Sequence, residues 1–276
     1  MISLNEAHEI FLNSHSSAEI LRAHDIPVGD IEKLTPTIRI SLEKALNEVD
    51  MTRDDILALT DISIENVAVL MSVSNFLRDK HKGTLISFSK NFFIPLTQLC
   101  RDKCSYCTFK YEPGEGELFY SPEKVLEAAK KSAELGCTEM LFVSGGKPEL
   151  VYDVYRKELN KMGYDSTSDY MIAMSEICLE EGIFPHSNLG IAKPEELKSI
   201  SERLMEPGEA HYRCPDKYPR ARIKTISDAG KLNIPWTSGI LIGIGETWEE
   251  RVDSIFELKR ISDEFGHIQE IIIQNF

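Results

Sequence analysis

The 276-residue chain has no run of eighteen consecutive apolar residues, which excludes an ordinary transmembrane helix. Its first residues, MISLNEAHEIFLNSHSS, hold neither a basic n-region nor a continuous apolar segment, so no secretory signal is expected and the sequence reads as cytoplasmic. Basic residues are scarce. Against 45 Asp and Glu stand 31 Lys and Arg, a net charge of −14, which argues against a nucleic-acid backbone or an anionic membrane as main partner. A small-molecule substrate or a protein electron donor fits better. No repeat of fixed period is found, so no solenoid is expected. Cysteine is sparse too: six are too few for a disulfide scaffold in a chain this long. Yet Cys100, Cys104 and Cys107 crowd together as thiols meant for a metal do. Cys137, Cys178 and Cys214 are scattered and read as small buried or surface thiols.

Hydrophobic residues, 42% of the chain, suffice for one sizeable core, or one core plus a small helical appendage. Residues 1–84 read as helices and loops forming an N-terminal cap. Thr52 to Asp55 resembles a capping signal, and Ile64, Val67, Leu70, Met71 and Leu77 trace one helix face interrupted by Ser74. From residue 85 short apolar strands alternate with amphipathic helices, which predicts βα units and a parallel sheet. Strands are expected at 87–97, 139–145, 183–188, 235–244 and 269–275, and helices near 121–135, 169–181, 193–204, 219–231 and 247–264. The stretch MEPGEAHYRCPDKY (205–218) has no apolar run able to serve as a parallel strand, so one strand is expected to be missing near 201–218.

LCRDKCSYCTF spaces its thiols Cys-x3-Cys-x2-Cys just after the first strand of this array, at the carboxyl end of the expected sheet, where parallel α/β folds place their sites. Thiolates suit iron–sulfur clusters, zinc and cuprous ions alike. Zinc sites usually show two ligand pairs separated by a longer loop; no second pair is evident, and His186, His211 and His267 lack a nearby ligand partner. An electron-transfer ferredoxin wants a fourth cysteine at short spacing. Three thiolates on one tight loop can instead hold three irons of a cubane and leave the fourth open to a chelating cofactor.

With an aromatic residue, Tyr106, directly before the last cysteine, this loop resembles that of radical S-adenosylmethionine (SAM) enzymes. NFFIPLTQLCRDKCSYCTF, HSNLG, RIKTISDAGKLNIPWTSGILIGIGET and FGHIQEIIIQNF together resemble the CofG-like subunits of 7,8-didemethyl-8-hydroxy-5-deazariboflavin (FO) synthase, over roughly residues 85–276. The resemblance implies a radical SAM partial (β/α)6 TIM-like barrel with an N-terminal helical cap. It implies a [4Fe-4S] cluster on Cys100, Cys104 and Cys107, with S-adenosylmethionine on the open iron. It also implies a lyase that closes the deazaflavin ring on a tyrosine–ribityldiaminouracil adduct with release of ammonia, in coenzyme F(420) biosynthesis. The implied partners are a CofH-like sister subunit and a low-potential electron donor such as ferredoxin or flavodoxin. A CofH-like or menaquinone-pathway enzyme, and an inactive or metal-stabilised binding protein, are the competing readings.

By the same resemblance Tyr106 lies beside the adenine, and GILIGIGE (239–246) supplies Gly243, Ile244 and Glu246 to the cofactor pocket. Gly145 and Gly146 permit close backbone approach to the cofactor. A tight strand-to-helix turn that needs glycine explains GILIGIGE equally. Asn188 and, at lower rank, His186, Gln269 and Asn275 are candidates for cofactor or substrate contacts. An even separation of six puts Gln269 and Asn275 on one face of a regular strand.

Three departures from the family stand out. Gly146 occupies the place of a glutamate that receives the cofactor's amino group. Loss of that charge-assisted hydrogen bond weakens binding by about 1.5–3 kcal/mol unless compensated, with Glu149 as nearest substitute. The second departure is the missing strand near 201–218. The third is that the family continues past QNF, which makes a truncated C-terminus the expectation.

Overall fold

The computed structural model describes residues 2–188 and 202–275. Two compact units are formed, one from residues 1–87 and 247–257, the other from 88–246 and 258–276.

The first unit is helical: α1 (Leu4–Asn13), α2 (His15–Ala23), α3 (Pro36–Leu46), α4 (Arg53–Leu59), α5 (Val67–Lys82) and the first turns of α10 (Trp248–Phe265). Local chemistry sets the starts. Ser3 with Glu6, and Thr52 with Asp55, form capping boxes, while Thr35 caps α3 with Pro36 in its first turn. Each such cap satisfies backbone N–H groups that the helix cannot bond itself, worth about 1 kcal/mol. Leu4, Ala7, Ile38, Leu42, Leu46, Val69 and Val73 close the core. The buried stripe of α5 is Ala68, Val69, Ser72 and Val73, rotated from the expected face. Ile64 is 63% exposed, and Ser74 points to solvent and interrupts nothing. Among the described residues no single helix is long and apolar enough to cross a membrane.

The second unit alternates strand and helix. β1 (Asn91–Thr97), α6 (Pro122–Glu134), β2 (Glu139–Ser144), α7 (Asp153–Lys161), α8 (Thr167–Glu180) and β3 (Phe184–Asn188) build a parallel sheet of order β1-β2-β3. α9 (Pro219–Lys231), β4 (Trp236–Ile242), the later turns of α10 and β5 (Ile268–Asn275) build a parallel pair β4-β5. Ile94, Leu96, Met140 and Phe142 face Val125, Ala129, Tyr170, Met171 and Met174 of α6 and α8, all at most 1% exposed. Burying each large side chain there contributes roughly 1.5–3 kcal/mol. Pro95 is tolerated within β1 because β1 is an edge strand, where a missing N–H costs no ladder bond.

Parallel strands alternating with helices are thus as expected. Among the described residues the strands form two separate sheets and no closed barrel. β1 begins four residues later than expected: Leu85, Ile86 and Phe88 are 79–88% exposed, and pairing starts only at Asn91 with Glu139. Residues 202–218 hold two 3-10 turns, Glu202–Met205 and Pro215–Lys217, and no strand. The helix expected at 193–204 lies almost wholly outside the described residues.

Candidate active site

The cysteine loop leaves the carboxyl end of β1 and is closed on itself. Tyr111 N–H donates to the Gln98 carbonyl at 3.1 Å, the Gln98 side chain donates to the Phe109 carbonyl at 2.9 Å, and Leu99 bridges Tyr111. Inside it, Cys107 N–H donates to the Cys104 carbonyl at 3.1 Å. Chain separation between the three thiols is therefore converted into a fixed, folded loop.

The turn after β2 holds the loop from the other side. Gly145 N–H donates to the Thr97 carbonyl at 3.0 Å and Arg101 N–H to the Gly146 carbonyl at 2.9 Å, while Gly146 N–H donates to Cys100 Sγ at 3.1 Å. A Cβ on Gly145 would lie 2.0 Å from the Leu99 carbonyl oxygen, so the close approach of two backbones requires glycine here. At Gly146 a Cβ would lie 2.4 Å from Asp216 Oδ2 and 3.6 Å from Asp102 Oδ2. The space beside Gly146 is thus bordered by two carboxylates from elsewhere in the chain.

Glu149 does not supply the missing carboxylate. It is buried and accepts from Thr167 Oγ1 at 2.6 Å, on the side of α8. The carboxylates at the turn are instead Asp216 and Asp102. Asp216 takes Arg101 Nε at 2.9 Å and the Arg101 Nη2 as well, and its N–H donates to Asp102 Oδ1 at 3.2 Å. Burial holds the Asp102 carboxyl above its ordinary pKa.

Tyr106 meets the segment 202–218. Its hydroxyl is 2.9 Å from His211 Nε2, and the two rings stand edge to face. Burial pushes the Tyr106 phenol up and the His211 imidazole down to about 4, so both are neutral near pH 7. Tyr152 adds a brace, its hydroxyl donating to Glu112 at 2.8 Å and lying 3.3 Å from the Cys100 carbonyl. The exposed Arg222 of α9 lies within electrostatic reach of Tyr106, Asp102, Asp216 and Cys104.

The remaining sequence candidates divide. Asn188 pairs with Val143 at the carboxyl end of the sheet, two residues before Gly145, whereas His186 pairs with Leu141 and its Nδ1 lies 3.5 Å from Glu139 at the opposite end of β2. His186 is therefore drawn away from the loop. After β4, Glu246 folds back on its own turn, accepting from Gly243 N–H at 2.7 Å and Ile244 N–H at 2.9 Å. Gly243 and Gly245 sit at φ of 93° and 107°, the left-handed region that favours glycine. Those two N–H groups are already engaged. On β5 the register shifts so that Ile268 pairs with Trp236 and Glu270 with Thr237. Gln269 is thus the extra residue of a bulge, and even spacing no longer places it on the face of Asn275. Six residues at about 3.3 Å each separate the two along the strand. Only Asn275, opposite Ile242, stands at the end of β4 that carries Gly243.

Arg101, Asp102, Tyr152, His211, Cys214 and Asp216 are site residues the sequence reading missed. For His211, Cys214 and Asp216 the polar run HYRCPD (211–216) was the one signal, because polar and thiol side chains clustered where no strand could form.

The Radical SAM superfamily model matches residues 94–258, more than half of the chain; the chain belongs to the radical SAM superfamily. It is 44% identical over 208 residues to the 7,8-didemethyl-8-hydroxy-5-deazariboflavin synthase of Methanopyrus kandleri, covering 70% of this chain and 62% of that protein. It is 40% identical over 266 residues to the FO synthase of Nocardia farcinica, covering 87% of this chain and 31% of that one. The chain therefore spans less than two thirds of the length of these relatives. Among solved structures it is similar to HydG, a maturase of the [FeFe]-hydrogenase (TM-score 0.56, 14% identity, 96% of this chain and 58% of that chain). It is also similar to methylornithine synthase, PylB (TM-score 0.54, 17% identity, 86% and 67%). These two likenesses concern the fold alone.

The superfamily implies a [4Fe-4S] cluster and S-adenosylmethionine, and the donor set fits. Three free thiols sit on one loop, Cys107 exposed and the others partly so. Burial raises the pKa of Cys100, and two backbone N–H groups, of Asp102 and Gly146, are aimed at its Sγ and oppose that rise without cancelling it. Such donors stabilise a thiolate or cluster sulfur.

Proposed function

We propose that the chain is a CofG-like radical SAM lyase that closes the deazaflavin ring of FO on a tyrosine–ribityldiaminouracil adduct and releases ammonia. The observation that carries this reading is the 44% identity to the Methanopyrus synthase, in a chain whose Cys-x3-Cys-x2-Cys loop is folded and braced. In this reading residues 85–276 are the catalytic core and residues 1–84 an accessory helical domain.

Cys100, Cys104 and Cys107 hold the cluster. When bound, the cluster and S-adenosylmethionine supply reductive sulfonium cleavage and a radical able to abstract hydrogen. The protein's own residues do the positioning. Gly146 N–H orients Cys100; Arg101 and Asp216 fix the loop behind it. Tyr106, held by His211, presents a neutral aromatic face beside Cys107 against which an adenine can stack. Asn188, Gly243, Ile244 and Asn275 are assigned to the mouth of the site at lower rank, with Gly145 allowing close backbone approach. An electron donor such as ferredoxin or flavodoxin and a CofH-like source of the adduct complete the reading.

Reconstituted protein is incubated without oxygen with the purified adduct, S-adenosylmethionine and dithionite. A fluorescent deazaflavin with stoichiometric ammonia is expected. Turnover only when free tyrosine replaces the adduct would reassign the chain to the tyrosine-adding sister; no turnover of either substrate would reject both.

A further inference from the structure

The segment 202–218 is fastened to the cysteine loop at several points. Ser105 N–H donates to the Ala210 carbonyl at 3.2 Å, Tyr106 bonds His211, and Arg101 bonds Asp216. Cys214 lies between the last two. Its N–H donates to the His211 carbonyl at 3.1 Å, its side chain is buried with the thiol donating to the Tyr212 carbonyl at 3.5 Å, and the thiol of Cys104 lies within interaction distance of it. Both are free. Tyr106 also contacts the Cys104 thiol, so Cys104 is enclosed between a phenol and a second sulfur. Cys214 therefore has a specific partner among the cluster thiols.

We propose that Cys104 and Cys214 are a dithiol that closes to a disulfide whenever the loop carries no iron. The oxidant is a low-molecular-weight disulfide such as glutathione disulfide. Cys104, the partly exposed member, attacks it and forms a mixed disulfide, releasing one molecule of thiol. The Cys214 sulfur then displaces the second thiol from Cys104, so that the protein loses two hydrogens and two thiols are released. Neighbours already fixed by backbone hydrogen bonds make the second step intramolecular, with the high effective concentration that brings. The bond ties up a cluster ligand in a form that reductant restores, and shields it from irreversible oxidation. The pairing is independent of which reaction the loaded enzyme catalyses.

The test uses iron-free protein, treated with glutathione disulfide under argon and then alkylated. Intact mass is expected to fall by two hydrogens, and two of the six thiols to escape alkylation. Tryptic digestion without reductant is expected to link residues 104–110 to 214–217, with fragment ions placing the bond on Cys104. Cys107→Ser is expected to keep the link, whereas Cys214→Ser gains a glutathione in place of losing two hydrogens. A bond from Cys104 to Cys100 or Cys107, or stable glutathione adducts on the wild-type chain without the link, would overturn the proposal.

Discussion

Asp216→Asn removes the charge that holds the cysteine loop while changing shape very little. The carboxylate receives Arg101 through two nitrogens, with side-chain exposures of 4% for Asp216 and 21% for Arg101. Removing one partner of a buried pair typically costs about 3–5 kcal/mol, because the other charge stays desolvated and uncompensated. Arg101 keeps some water contact and the nearby Asp102 charge, and Asn keeps one acceptor, so the expected loss is about 2–3 kcal/mol. For a domain of this size that corresponds to a fall in Tm of roughly 4–12 °C. Urea unfolding of the iron-free protein, followed by tryptophan fluorescence and by near-ultraviolet circular dichroism, measures it. The partner variant Arg101→Gln and the double variant complete a cycle. A single-variant loss below about 0.5 kcal/mol, or strictly additive losses in the cycle, would refute the claim that this pair pins the loop.

Other outcomes follow from the same contacts. Gly145→Ala forces a Cβ against the Leu99 carbonyl and is expected to cost about 1–3 kcal/mol or more and to abolish iron uptake on reconstitution; normal iron content would contradict it. Leu42→Ala, at a fully buried position of the helical unit, is expected to cost about 2–5 kcal/mol, read as a lower urea midpoint of that unit. Burial holds the pKa of His8 below its ordinary 6.5, so the unfolded chain binds the extra proton first. Its contribution is fully present above pH 6.5 and declines as pH falls toward the folded-state value. A urea midpoint that falls below pH 6.5 in the wild type, and less so in His8→Phe, is expected; identical slopes would count against it.

The sequence made the alternation of strand and helix legible because β1 to β5, α6 and α8 to α10 carry enough apolar residues to display a period. α7 escaped notice for the converse reason: it buries only Tyr155 and Leu159, too few to mark a helical face. The cysteine loop was readable from spacing, since its ligands are neighbours in the chain. Its supports were not. Arg101 and Asp216 are 115 residues apart, and nothing local in either residue announces the other. Parity along β5 failed at Gln269 because a bulge inserts one residue without any composition change. Similarly, Glu149 looked like a substitute carboxylate from its position, while the short turn Pro148–Leu150 directs it to Thr167.

The central claim is that Cys100, Cys104 and Cys107 together hold a [4Fe-4S] cluster open to S-adenosylmethionine. Anaerobic reconstitution with iron and sulfide, followed by electron paramagnetic resonance of the dithionite-reduced protein, tests it most directly. A [4Fe-4S] signal that changes shape on adding S-adenosylmethionine and is lost in each Cys→Ala variant is predicted. Zinc without iron, or a cluster signal that survives all three substitutions, would contradict it.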